Sequence, residues 1–248
     1  MNKLAHAGLS LLLPLLAFGQ EAKTEAPRKE TISSYRVFAK DGEESALKAA
    51  LGAHARKYHT GNWKMHVSQV LSGPDEGSYM IVEGPNSWTD FETRADITAD
   101  HEKDYQTNIA PHVEKSTPEI YATLEPDAST VAGGAFSSTK TLIRHYYVKP
   151  GRGPRLLESL KLTKRIWEKR GQNVVVWSTF FSGEPDYILV FRLKNGWKDL
   201  DEAQVDMRKA ADESIGPGAY ERILDEISLD TSRVIDEMTE QKPDLSSN

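Results

Sequence analysis

Apolar residues in this chain follow two periods, one of two residues and one near 3.6, and the same succession of periods is written twice. The strand-like stretch Tyr35-Arg-Val-Phe-Ala-Lys-Asp-Gly42 matches Arg144-His-Tyr-Tyr-Val-Lys-Pro-Gly151 at an offset of 109 residues. A helical stripe follows at the same offset, pairing Leu47 with Leu156, Leu51 with Leu160 and Tyr58 with Trp167. Spacings of four and seven put each set on one helical face. A second strand runs from Gly61 to Gly73 in the first copy and from Gly171 to Gly183 in the second, at an offset of 110, and ends in Ser-Gly both times. That ending reads as a hairpin turn. Next come Tyr79-Met-Ile-Val-Glu83 and Tyr187-Ile-Leu-Val-Phe191, each followed by an Asn two residues before a Trp, Asn86 with Trp88 and Asn195 with Trp197. Helical text over Asp90–Lys115 and Asp199–Glu226, then short strands near Glu119–Leu124 and Arg233–Asp236, complete each copy. The order is β-α-β-β-α-β twice, the ferredoxin-like unit.

The predicted organisation is a leader over 1–19, a flexible lead over 20–33, a first unit over 34–127, a linker over 128–139, a second unit over 140–240 and a tail over 241–248. In such a unit both helices cover one face of the sheet and leave the other bare. The run Val174 to Phe181 is almost continuously apolar, which predicts strands buried on both faces. Packing the two bare faces together gives an α+β fold in which the tandem units form one intrachain barrel. On this unit order, the repeat period and the paired Trp88 and Trp197, residues 34 to 240 resemble the dimeric α+β barrel superfamily, which includes antibiotic-biosynthesis monooxygenase-like, EthD-like and NIPSNAP-like families. The resemblance implies two units facing each other across a lumen able to hold a small molecule. It also implies a range of activities: cofactor-independent oxygenation of polycyclic phenols, haem degradation, isomerisation, or binding without turnover.

Composition narrows the setting. Residues 1 to 19 combine Lys3, an apolar run from Ala7 to Phe18, and small residues at Ala17 and Gly19. This is the layout of a secretory signal peptide, too short and too interrupted at Pro14 for a comfortable membrane span, and it predicts a secreted or periplasmic protein. The chain has no cysteine, which removes disulfides, thiolate metal sites and lipidation through cysteine. A net charge of −6, more negative still without Lys3, disfavours nucleic acid and anionic membranes as partners. The expected partner is a small-molecule ligand in the lumen, bound by a monomeric pseudodimer or a weak homo-oligomer.

Alternation along the strands selects the candidate site. One parity of the first strands carries Arg36 and Phe38, and His145 and Tyr147; in the second strands His66, Ser68 and Ser178 are assigned to the same side, with Val175 and Trp177 opposite. Arg36, His66, His145 and Tyr147 are therefore the predicted lumen residues and the candidate catalytic set. A histidine there suits the role of base towards an activated phenol or enol, with Arg36 holding the anion. The competing reading is that these polar groups satisfy one another. No cofactor is required by this reading; haem on a single axial His145 or His66 is the alternative that the resemblance adds. No metal is expected, because His54 and His59 are five apart and poorly aligned on one helix, while His101-Glu102 lacks the second histidine of a zincin helix. His54 falls on the Leu47 and Leu51 stripe and reads as a histidine at the edge of the core.

Overall fold

The computed structural model describes residues 28, 30–131, 138–181, 183, 185–203 and 207–247. The leader and most of the lead lie outside these residues, as does the middle of the linker. The first strand, β1 (Thr31–Ala39), begins three residues inside the stretch read as lead. It is followed by α1 (Glu44–Tyr58), whose Leu47, Leu51 and Ala55 recur every fourth residue and are buried. Next come β2 (Met65–Val70) and β3 (Tyr79–Asn86). The short helix α2 (Trp88–Glu92) starts on a capping box, in which the Ser87 hydroxyl accepts from the Asp90 N–H and the Asp90 carboxylate accepts from the Ser87 N–H. α3 (Ala99–Asp104) runs into a π-helical turn over Tyr105–Ile109, and β4 (Val113–Ser116) and β5 (Ile120–Leu124) close the first half. The second half contains β6 (Lys140–Val148), α4 (Gly153–Lys169), β7 (Asn173–Phe180) and β8 (Tyr187–Leu193). It ends with α5 (Lys198–Ala203), α6 (Met207–Ser214), α7 (Ala219–Asp230) and β9 (Thr231–Gln241).

Eight strands close into an antiparallel barrel, in the order β1-β3-β2-β9-β6-β8-β7-β5 and back to β1, with β4 as a short extension paired on β1. The halves meet at two seams, β2 against β9 and β5 against β7. Five strands, β1, β3, β6, β7 and β8, are buried on both sides and contribute to two cores. Val37, Val67, Tyr79 and Ile81 pack outward on α1, and Tyr146, Val174, Val176 and Leu189 pack outward on α4. The alternate residues Ile32, Val82, Ala122, Ile143, Val175, Trp177 and Ile188, drawn from six strands of both halves, meet in the barrel interior. At about 25 cal/mol per Å2 of apolar surface, this interior is a major part of what holds the halves together.

Two expectations are corrected here. Val175 and Trp177 face the lumen and Ser178 does not: Trp177 pairs with Ile188, which pairs with His145, just as Ser68 pairs with Met80 and Met80 with Arg36. Within the strands the 109-residue offset therefore holds. The 110-residue offset belongs to the flanking turns, Gly61 with Gly171 before the strand and Gly73 with Gly183 after it, and carrying it into the strand turns every side chain over. The stretch read as a tail is structural. Its 3-10 turn Pro243–Leu245 seats Leu245 in the core under α1, and the Ser246 and Ser247 hydroxyls accept from the N–H groups of Val67 and Met65, both at 2.9 Å. Gly52 makes the approach feasible, since a Cβ there would stand 2.7 Å from the Asp244 carbonyl.

Candidate functional site

Strand parity places Arg36, His66, His145 and Tyr147 on the lumen side, through the pairs Arg36↔Met80, His66↔Val82, His145↔Ile188 and Tyr147↔Arg233. The structure unites two of the four. Arg36 and His145 converge on Glu237 of β9, a residue that no sequence signal singles out: His145 Nε2 lies 2.8 Å from its carboxylate, and the Arg36 guanidinium grips both carboxylate oxygens and also Asp75. Glu237 is 1% exposed. Burial works to raise its pKa, but the hydrogen bond with His145 and the charge of Arg36 outweigh it and hold the carboxyl below its ordinary range. Tyr147 instead stacks under Arg233, 3.8 Å from ring centroid to guanidinium carbon. His66 is pushed down to about 4 by burial and by Lys64, so it is neutral at pH 7 and a weak base. In the middle of the lumen, Ile143, Trp177 and Ile188 pack against one another.

A second polar site lies outside the barrel wall, between the sheet and helices of the first half. His54 projects from the buried side of α1, His101 comes from α3, and His59 is the C-cap of α1, with φ −97° and ψ 66°. Leaving the helix at His59 is what brings it back beside His54, so the five-residue spacing that disqualified the pair on a continuous helix does not apply. The three imidazoles are buried and their nitrogens lie within 4.8 Å of one another. His101 Nε2 stands 3.2 Å from His54 Nε2 and 3.3 Å from His59 Nε2. Behind them, His54 Nδ1 lies 2.8 Å from Asp104, and His59 Nδ1 lies 3.1 Å from Glu83 and 3.2 Å from the Trp63 carbonyl. His101 Nδ1 is buried with no partner among the described residues. Burial lowers the pKa of both His54 and His101; for His54 the Asp104 hydrogen bond opposes it, and for His101 the neighbouring histidines add to it. Burial favours a raised Glu83, but hydrogen bonds with His59 and Arg94 keep it below the ordinary value.

These groups form the floor of an open pocket of about 510 Å3, whose walls include Tyr35, Trp88, Phe91, Arg94 and Tyr121. Phe91 meets Tyr121 edge-on at 5.6 Å and Trp63 at 5.1 Å, and Arg94 lies over the Trp63 ring at 4.1 Å. Arg94 is fixed in place by Glu83 at 2.6 Å and Asp96 at 2.8 Å. Trp88, 44% exposed, forms the lip of the pocket, and the second half's Phe180 and Phe181 reach it across the β5–β7 seam. In the sequence, the signal for this site is a histidine on a core stripe with another just past the helix end; the third imidazole, His101, stands 42 residues after His59 and has none. The second half has a larger cavity of about 880 Å3 in the corresponding layer, lined by Leu160, Trp167, Phe191, Ile223 and Ile227 with Arg144 and Arg192, and by no histidine among the described residues.

The chain matches no protein-family model and no curated protein. Its resemblances are to solved structures. A candidate monooxygenase from Lactobacillus acidophilus NCFM superposes with a TM-score of 0.56 at 10% identity, covering 88% of this chain and 96% of that one. An anthrone oxidase-like protein gives 0.56 at 12% identity over 87% and 92%. A mutant chlorite dismutase from Candidatus Nitrospira defluvii gives 0.52 at 9% over 86% and 92%. The chain thus has the dimeric α+β barrel fold of these proteins; at such identities the likeness is one of fold.

Proposed function

We propose that this is an exported protein built of two tandem ferredoxin-like units, which binds a small aromatic or apolar molecule and carries out oxygenase-type chemistry on it. The working site in this reading is the histidine-floored pocket of the first half rather than the lumen. The observation that carries it is the contrast between the two: the lumen candidates Arg36 and His145 are tied to Glu237 beside an apolar plug, whereas the outer pocket is open and joins buried imidazoles to a wall of rings. Aromatic walls with a few fixed polar groups are what small-molecule sites present. The leader over residues 1 to 19 supports export, and the strand orders β5-β1-β3-β2 and β9-β6-β8-β7, identical in kind, support the tandem units. Arg36, Glu237 and His145 then bind the halves together across the interior.

The test is binding of a panel of phenols and aromatic acids, followed by tryptophan fluorescence, with oxygen uptake measured for each binder. Phe91→Ala should weaken the best binder about tenfold or more by removing a ring from the wall, while His145→Gln leaves it unchanged. Loss of binding in His145→Gln with Phe91→Ala unaffected would return the ligand to the lumen and overturn the reading.

A further inference from the structure

We propose that His54, His59 and His101 bind one divalent transition-metal ion through their Nε2 atoms, with a fourth coordination position open to the pocket. The hydrogen-bond inventory of the three rings requires something at their centre. Asp104 on His54 Nδ1 and Glu83 on His59 Nδ1 are acceptors, so each ring donates from Nδ1 and turns a bare lone pair inward at Nε2. His101 Nε2 faces both lone pairs, at 3.2 and 3.3 Å. It can send a proton to one of them and never to both, so at least one buried lone pair is left opposite another acceptor. A cation at the centre satisfies all three at once.

The metrics agree. Zinc–imidazole bonds of about 2.0–2.1 Å in tetrahedral geometry separate the ligand nitrogens by about 3.3–3.4 Å, which is the spacing His101 already keeps to its two neighbours. Carboxylates behind two of the ligands provide the outer shell that sets tautomer and ring orientation in metal sites. Three neutral nitrogen ligands suit zinc, cobalt, nickel or copper ahead of calcium or magnesium. All three histidines line the open pocket, leaving the remaining position for water or a ligand atom, the arrangement of a catalytic rather than a structural site. This inference stands on the ring geometry alone, so it can hold or fail independently of the aromatic-ligand reading.

The experiment uses the untagged mature chain, stripped with a chelator and titrated with Co2+. The expected result is the visible d–d absorption of tetrahedral cobalt, saturating at one ion per chain and erased by Zn2+. His101→Gln should lose these bands. Asp104→Asn should keep them but weaken the apparent affinity about 10–100-fold. His112→Gln, whose histidine meets Glu43 at the start of α1 and lies outside the trio, should match wild type. His54→Gln repeats the ligand test should His101→Gln not fold. Wild-type protein with no bands, or bands unchanged in the folded ligand variants, would overturn the site.

Discussion

The two halves of the barrel share a strand order and a helix layer, yet the space between sheet and helices carries different chemistry in each. In the first half it contains three imidazoles, Glu83 and Arg94; in the second it is a wider cavity walled by Leu160, Trp167, Phe191, Ile223 and Ile227. A few positions decide this. The residue 109 after His54 is Thr163, whose hydroxyl turns back to the Ser159 carbonyl at 2.7 Å, and the residue 109 after His59 is Glu168, inside α4 rather than at its end. α4 runs two residues longer than α1 and so lacks the early exit that folds His59 back. One frame thus supports a histidine-floored pocket and a wider one that joins apolar walls to arginines, which is why the shared fold leaves the chemistry to be argued from the site.

The most severe way to test whether the halves act as one body is to remove what ties them together. Glu237 on β9 is gripped by Arg36 of β1 and His145 of β6, all inside the barrel. Glu237→Ala leaves the Arg36 guanidinium with Asp75 alone and His145 without its carboxylate, and should cost about 3 kcal/mol of unfolding free energy, the lower end for a broken buried pair, read by urea denaturation as a single earlier transition. Two separate transitions would show that the halves are independently stable. Acid gives the same test without mutation. The folded pKa of Glu237 is depressed, so its contribution is complete above the ordinary carboxyl value and is lost as pH falls through the folded value. Wild type should therefore lose more stability than Glu237→Gln between about pH 5 and the acid limit.

A subtler change asks whether the second half can be made to imitate its counterpart. Thr163→His puts an imidazole at the place matching His54, in a layer where the one lining carboxylate among the described residues, Asp199, already accepts from Asn195. An under-satisfied buried ring should cost about 1–3 kcal/mol. It should also leave the metal stoichiometry at one per chain, measured by Co2+ titration; a second ion would mean that the frame, more than the particular residues, makes the site.

Much of this architecture can be read from periodicity. The β-α-β-β-α-β order, the pairing of Arg36 with His145 at matching positions and the burial of both strand faces follow from apolar spacing, a local property repeated over many residues. What escapes is non-local or depends on a single residue. Carrying the offset of the flanking glycine turns into the strand reverses Val175, Trp177 and Ser178, because parity has a period of two and forgives no slip. Glu237 is invisible as a partner because nothing around Arg36 or His145 points to a strand 92 residues beyond His145. The histidine trio fails for a similar reason: two ligands are related by a helix end and the third by tertiary packing of α3 on α1, neither of which a linear spacing rule encodes. The tail escapes because Leu245 is one apolar residue among polar ones, and its burial depends on the open side of α1 at Gly52.

The smallest effect should come from the neighbour of the residue with the largest. Asp236 sits beside Glu237 on β9 but points outward, where it meets Arg144 at the margin of the second-half cavity, with the two side chains 42% and 36% exposed. The pair is well formed, with contacts at 2.6 and 2.7 Å, and like the Glu237 pair it joins an acidic residue of β9 to an arginine. The difference is water. An exposed pair gains little Coulomb energy in a high dielectric and spends side-chain entropy to hold its geometry, so Asp236→Asn should cost about 0.2–1 kcal/mol. That small loss should shrink further at high salt, where exposed charges are screened, whereas the cost of Glu237→Ala should change little. Urea denaturation of both variants at low and high ionic strength measures the two side by side. Equal salt sensitivity would mean that water reaches Glu237, and the barrel interior would then have to be open to solvent at its polar end.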